Sequence, residues 1–190
     1  TSGTTGIPKI AYRTVSFDKR RFEYLESRYG FNSEDVHLVC LPMYHVASTG
    51  WLRLFLNLGC TVVIDNIKDV YQVCEALYLH KISTTILTPF LLHHMMDIFD
   101  NETTKKYFAS LRFIITGGKN FPSTLKREVI HKLGSVLYEY YGTTETGINS
   151  LLDPDEALRY PGSAGKVFEG NKILILDLEN KPVQKGGIGK

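Results

Sequence analysis

Cysteine is scarce: Cys40, Cys60 and Cys74 are the only three in 190 residues. They share no metal-ligand spacing, so a zinc or iron–sulfur framework is excluded on residue supply alone. Cys40 and Cys60 lie in apolar runs and read as buried thiols, which points to a reducing compartment and a cytoplasmic location. An excess of one charge is also missing. Twenty-two Lys and Arg stand against 20 Asp and Glu, a net charge of +2. That balance gives no electrostatic case for nucleic acid or a membrane surface as partner. The one basic run, Lys19-Arg20-Arg21, reads as a solvated helix face. No apolar stretch is long enough to span a bilayer, and no signal peptide, internal repeat or low-complexity tract occurs. What remains, 43% hydrophobic and 22% charged residues, is an ordinary globular composition, enough for one domain with a core.

The most telling segment is the first: Thr1-Ser2-Gly3-Thr4-Thr5-Gly6-Ile7-Pro8-Lys9. Glycines let the backbone approach an anion, and consecutive N–H groups can form an anion-binding nest. Hydroxyls donate to phosphate oxygens, and Lys9 adds a compact positive charge. The loop is not a Walker A motif, because Pro8 stands where its second glycine belongs and Ile10 where its Ser or Thr belongs. A second block, Tyr141-Gly142-Thr143-Thr144-Glu145-Thr146-Gly147, offers an aromatic face, hydroxyls and one carboxylate. A hard cation such as Mg²⁺ takes one or two carboxylates and completes its shell with phosphate oxygens and water. Three shorter segments stand between or after these two: Leu41-Pro42-Met43-Tyr44-His45-Val46, Ile114-Ile115-Thr116-Gly117-Gly118-Lys119 and Gly162-Ser163-Ala164-Gly165-Lys166. Taken singly, each has a plain reading as a polar loop, a strand-to-helix turn or a structural histidine.

Apolar spacing gives alternating elements. Strands are predicted over Val36–Leu41, Cys60–Ile64, Thr84–Leu87, Arg112–Ile115 and Val136–Tyr140. Helices are predicted over Val46–Leu58, Val70–His80, Pro89 to about Ile98, and Ser123–Leu133 with Gly134 as the stop. This is an α/β pattern: a mostly parallel sheet covered by helices on both faces. In such sheets ligands lie beyond the C-terminal strand ends, which puts Gly117–Lys119 and Tyr141–Glu145 on one rim. After Gly162 the character changes. Lys172–Leu178 reads as an alternating strand followed by a turn at Glu179–Pro182, the start of a smaller β subdomain over 162–190 after an α/β part over 1–161. The stretch Leu152–Gly162, with Asp153, Pro154, Asp155 and Pro161, reads as the most flexible.

The first loop and the Tyr141 block together resemble the adenylate-forming superfamily of acyl-CoA synthetases, aryl-CoA ligases, luciferases and peptide-synthetase adenylation domains. The loop matches the pattern Thr-Ser-Gly-Thr-Thr-Gly-x-Pro-Lys-Gly except at its last position, where Ile10 stands. The second block matches Tyr-Gly-x-Thr-Glu. The resemblance covers essentially the whole chain and is nearest to acyl-CoA synthetases. It implies that Thr1, Ser2, Gly3, Thr4, Thr5, Gly6 and Lys9 clasp the β- and γ-phosphates of ATP. Gly117, Gly118 and Lys119 would put backbone against the adenine, and Tyr141 would pack on it, flanked by Gly142 and Thr143. Thr144 would bond the α-phosphate, Glu145 would hold Mg²⁺, and His45 would stand at the acyl pocket. The implied activity is conversion of a carboxylic acid, with a fatty acid favoured, to acyl-AMP and its transfer to coenzyme A. The rival within the class is transfer to a carrier-protein thiol, and outside it a non-catalytic nucleotide-binding module. Members of the superfamily are about three times this length. The chain therefore reads as a central piece, inactive alone, without N-terminal strands and without the C-terminal lid domain.

Overall fold

The computed structural model describes residues 10–12, 19–65 and 69–189. The loop Thr1–Lys9 lies outside the described residues, and so does each role expected of Thr1, Ser2, Gly3, Thr4, Thr5, Gly6 and Lys9. After helix α1 (Lys19–Tyr29), the elements run β1 (Val36–Val39), α2 (Val46–Asn57), β2 (Thr61–Ile64), α3 (Val70–Leu79), β3 (Thr84–Ile86) and α4 (Pro89–Ile98). There follow α5 (Asn101–Phe108), β4 (Phe113–Gly117), α6 (Ser123–Leu133), β5 (Leu137–Thr143), β6 (Gly147–Leu152), α7 (Pro154–Arg159) and β7 (Lys166–Val167).

The seven strands form one sheet in the order β2-β1-β3-β4-β5-β6-β7. The first five are mutually parallel, and β6 and β7 are antiparallel to their neighbours. The order explains why both faces are covered. The chain steps from β1 outward to β2, then crosses back over β1 to β3 and continues the same way to β5. Right-handed crossovers then put α2 on one face and α3 to α6 on the other. The packing agrees: α2 lies on β1 and β2, while α3, α4, α5, α6 and α7 pack on one another. Strand β4 divides its side chains accordingly. Phe113 and Ile115 join Leu25, Phe31, Trp51 and Phe55 on the α2 face, and Ile114 joins Val73, Leu77, Leu92, Met95 and Val129 on the other. Trp51, Leu54 and Phe55 are thus core.

Local chemistry sets the helix starts. Asp69, Thr88 and Asp100 accept from the N–H of Gln72, Leu91 and Thr103, and Pro89 follows its cap at the first helical position. At the N-terminal edge of the sheet, the Arg112 guanidinium pairs with buried Asp35 and donates to the carbonyls of Tyr29 (3.0 Å) and Gly30 (3.1 Å), docking the end of α1. Burial alone would raise the Asp35 carboxyl, but hydrogen bonds from Arg112, Ser83 and the Asn32 N–H hold it below its ordinary value. In the Lys19-Arg20-Arg21 run, Lys19 and Arg20 are exposed, whereas Arg21 is half-buried and bonds Asn171.

Four expectations change. Tyr141, Gly142 and Thr143 belong to β5 itself, which outlasts the predicted strand, and Gly147–Leu152 returns beside it as β6. Helix α5 is polar, with only Thr104 and Phe108 buried, so it carries too little apolar periodicity to be read. Leu152–Gly162 holds the helix α7, whose Ala157 is in the core. Lys172–Leu178 forms no strand; its one pairing is an isolated bridge, Leu176 to Pro182, around a turn in which Asp177 Oδ1 accepts from the N–H groups of Glu179 and Lys181. The alternating residues are there, but no neighbouring strand supplies a ladder.

Candidate active site

Parallel strands β4 and β5 end side by side, with Gly117 in register with Tyr140. Beyond those ends lies a cleft of about 710 Å³. Its walls are the Gly118–Phe121 turn after β4, the start of α6, the last residues of β5 and the loop Pro161–Ala164. Gly117 is forced by close approach: a Cβ there would stand 2.5 Å from the Tyr140 carbonyl oxygen and 2.6 Å from its ring. That contact presses the β4 turn against β5 and fixes the near wall. Gly118, Lys119, Tyr141 and Gly142 line the cleft, as the sequence pattern expects of residues sharing one rim. Tyr141 is 54% exposed, an aromatic face left open where a planar ligand could stack.

The carboxylate lies just past the cleft. Strand β5 turns back into β6 through Thr144, Glu145 and Thr146, with Thr143 paired to Gly147. Gly142 allows the turn, because a Cβ there would stand 2.2 Å from the Gly147 carbonyl oxygen. The Thr143 hydroxyl closes the hairpin from inside, 3.0 Å from Thr146 Oγ1 and accepting from the Thr146 N–H at 3.2 Å. Glu145 is exposed at the tip. Its carboxyl is held below its ordinary value by its own backbone N–H and by the Thr143 hydroxyl. An ionised, unburied carboxylate beside hydroxyls suits a hard cation that takes its other ligands from phosphate and water. Among the described residues no cluster of three or more His, Cys, Asp or Glu could hold a metal by itself.

His45 is not part of this constellation. It is the exposed residue preceding α2, at the C-terminal end of β1, with β3 and β4 between that strand and β5; its ring leans on Tyr44, centroids 4.5 Å apart. Around it Met43, Tyr44 and Val46 are exposed, and so is Phe90 in the first turn of α4, the helix that follows neighbouring β3. This is an apolar rim at the point where the strand order reverses.

Two residues absent from the sequence reading stand in the cleft wall, Lys126 of α6 and Glu139 of β5. Lys126 is 3% exposed and its Nζ lies 2.5 Å from Glu139 Oε2. Burial raises the Glu139 carboxyl above its ordinary value, and the Lys126 hydrogen bond opposes that rise. A signal was available. Lys126 sits three and four residues before buried Val129 and Ile130, a charge on the apolar side of its helix. A second, smaller cleft of about 300 Å³ lies at the opposite end of the strands, but its cation, Arg28, is already paired with Asp153 and lies over the Tyr29 ring.

Comparison with known proteins places the chain. It matches the model of the AMP-binding enzyme family over residues 1–190 and belongs to that family. An indoleacetate–CoA ligase of Aromatoleum aromaticum is 31% identical over the whole of this chain and 37% of its own length. A fatty acid–[acyl-carrier-protein] ligase of Streptomyces coeruleorubidus is 27% identical over the whole chain and 38% of its own length. A 2-succinylbenzoate–CoA ligase of Bacillus cytotoxicus is 28% identical over 98% of the chain and 40% of its own length. The chain therefore spans well under half the length of these curated relatives. Among solved structures, an amide bond synthetase of Marinactinospora thermotolerans has a TM-score of 0.79 at 20% identity, over 88% of this chain and 34% of that one. Apo MatB of Rhodopseudomonas palustris has a TM-score of 0.74 at 23% identity, over 90% and 33%. At those identities the structures speak for the α/β fold alone. The acids of the three relatives differ, indoleacetate, a fatty acid and 2-succinylbenzoate, so together they favour no one acid class. No described helix is long and apolar enough to cross a membrane.

Proposed function

We propose that this chain holds the nucleotide in an AMP-forming acid–thiol ligase. The observation that carries this reading is the rim of β4 and β5, where Gly118, Lys119 and Tyr141 share a cleft and Glu145 stands at the hairpin next to it. In this reading the base stacks on Tyr141 against the Gly117–Gly118 backbone, and the Thr144 hydroxyl donates to the α-phosphate. Glu145 would hold Mg²⁺, which supplies charge neutralisation where a carboxylate must approach a polyphosphate. The loop Thr1–Lys9 would clasp the β- and γ-phosphates. A substrate carboxylate oxygen attacks the α-phosphorus. A new O–P bond forms, the bond to the bridging oxygen breaks, and pyrophosphate leaves with the electron pair. A thiol then attacks the acyl carbonyl carbon; its sulfur takes the acyl group, its proton goes to solvent and AMP departs.

Coenzyme A is the favoured thiol, because two of the three relatives above are CoA ligases. For the acid we propose a carboxylate with an apolar body, seated near His45 where Met43, Tyr44, Val46 and Phe90 leave apolar surface. Residues 1–161 would be the α/β part and 162–190 the start of a smaller β subdomain. The test is carboxylate-dependent ATP–pyrophosphate exchange by the natural full-length protein across aryl, fatty and amino acids. Exchange confined to acids with apolar bodies is the expected result. Silence across the panel with Mg-ATP present would end the ligase reading.

A further inference from the structure

The loop Pro161–Ala164 forms the far wall of the cleft, facing the β4 turn across Glu139 and Tyr141. One of its anchors is a strand contact, Ser150 Oγ donating to the Ala164 carbonyl at 2.6 Å. Another comes from across the cleft. Lys126 Nζ donates to the Pro161 carbonyl at 3.1 Å while lying 2.5 Å from Glu139 Oε2, with the Phe121 ring centroid 5.9 Å away. One ammonium from α6 thus touches the far wall, the floor and the near wall. An ammonium has three donors and no acceptor, so it can serve a carboxylate and a carbonyl together. Its stem is 3% exposed, so solvent does not screen the contacts as it would on the surface.

We propose that Lys126 is a positioning residue of this cleft: by joining Pro161 to Glu139 it sets the distance between the 161–164 loop and strand β5, and so the width available to a planar base. The proposal rests on the nucleotide reading for what fills the cleft, but the clamp itself does not. Nothing in Lys126 need touch the ligand. Its effect passes through the loop it holds.

Removing Lys126 alone would strand a buried carboxylate and could unfold the protein. The test therefore compares Glu139→Gln with the double variant Lys126→Met/Glu139→Gln. Both lack the Glu139 charge, and only the first keeps the ammonium on Pro161. Two readouts are taken, amide exchange at Ser163, whose N–H donates to the Tyr160 carbonyl at 2.8 Å, without ligand, and Mg-ATP affinity. The clamp predicts exchange at least tenfold faster, and affinity at least tenfold weaker, in the double variant than in Glu139→Gln at matched thermal stability. Equal exchange in the two variants would overturn it, whatever binds. Faster exchange with unchanged affinity would overturn the positioning role. If the unsubstituted protein failed to bind Mg-ATP at all, the nucleotide reading would fall and the exchange comparison would still decide whether Lys126 holds the loop.

Discussion

Glu145 carries the largest share of the proposed chemistry of any described residue, because it is the one carboxylate at the tip of the β5–β6 hairpin. Its exposure and lowered pKa mean that it is ionised throughout the neutral range without help from a ligand. Glu145→Gln keeps the shape and the hairpin bonds, which are made by Thr143 and Thr146, and removes only the charge. The expected result is at least a tenfold fall in the adenylation rate, about 1.4 kcal/mol in the barrier, with thermal stability unchanged. Unchanged rates at saturating Mg²⁺ would remove Glu145 from the metal site. The residue scale was also where the sequence was most legible. Gly117 is legible because close backbone approach there excludes any Cβ; Gly118, Tyr141 and Glu145 stand out by motif alone, and their nucleotide and metal roles belong to the proposal. Lys126 and Glu139 were not read, because a charge within an apolar pattern looks like an interruption until the fold supplies its partner.

At the scale of elements, strands β1 and β3 share an acid-sensitive contact. His37 lies buried on β1, its Nδ1 2.9 Å from Thr84 Oγ1 of β3 and its ring stacked on Phe55 with centroids 4.2 Å apart. Its Nε2 has no partner among the described residues. Burial lowers its pKa to about 3, against smaller opposing contributions from Thr84 and Asp35. The unfolded chain takes up a proton near pH 6.5 and the folded one does not. Stability tied to His37 is therefore complete above pH 6.5 and drains as pH falls toward 3, by at most about 1.4 kcal/mol per unit. The raised carboxyl of Glu139 works the other way, since the folded state then holds its proton to higher pH. His37→Phe keeps the stack and deletes the titration. Chemical denaturation at pH 6.5 and pH 4.5 should show a smaller loss of stability in the variant than in the unsubstituted protein. Equal losses would mean that His37 titrates in the folded state. Elements with strong apolar periodicity, such as α2 and α3, matched the sequence reading within a residue or so. The misses have one cause: α5, β6 and α7 are specified by what they pack against. Lys172–Leu178 is the converse, a strand pattern with no partner strand.

For the whole molecule, the strand order decides where ligands can go. Reversal of direction at β1 leaves an apolar rim between the ends of β1 and β3, and the cleft proposed for the nucleotide opens two strands along, between β4 and β5. Both lie at the C-terminal ends of parallel strands, so one rim could carry an acid and a nucleotide toward each other. At the other end of the sheet the charges are already paired, Arg112 with Asp35 beneath β1 and β4, and Arg28 with Asp153 beside the smaller cleft under β5. The most direct test is amide hydrogen exchange on the natural full-length protein with and without Mg-ATP. The account predicts added protection at Gly117–Phe121 and Tyr141–Glu145, and none around Arg28, Ser135 and Asp153. Protection confined to that opposite end, or no change on either rim at saturating Mg-ATP, would contradict it.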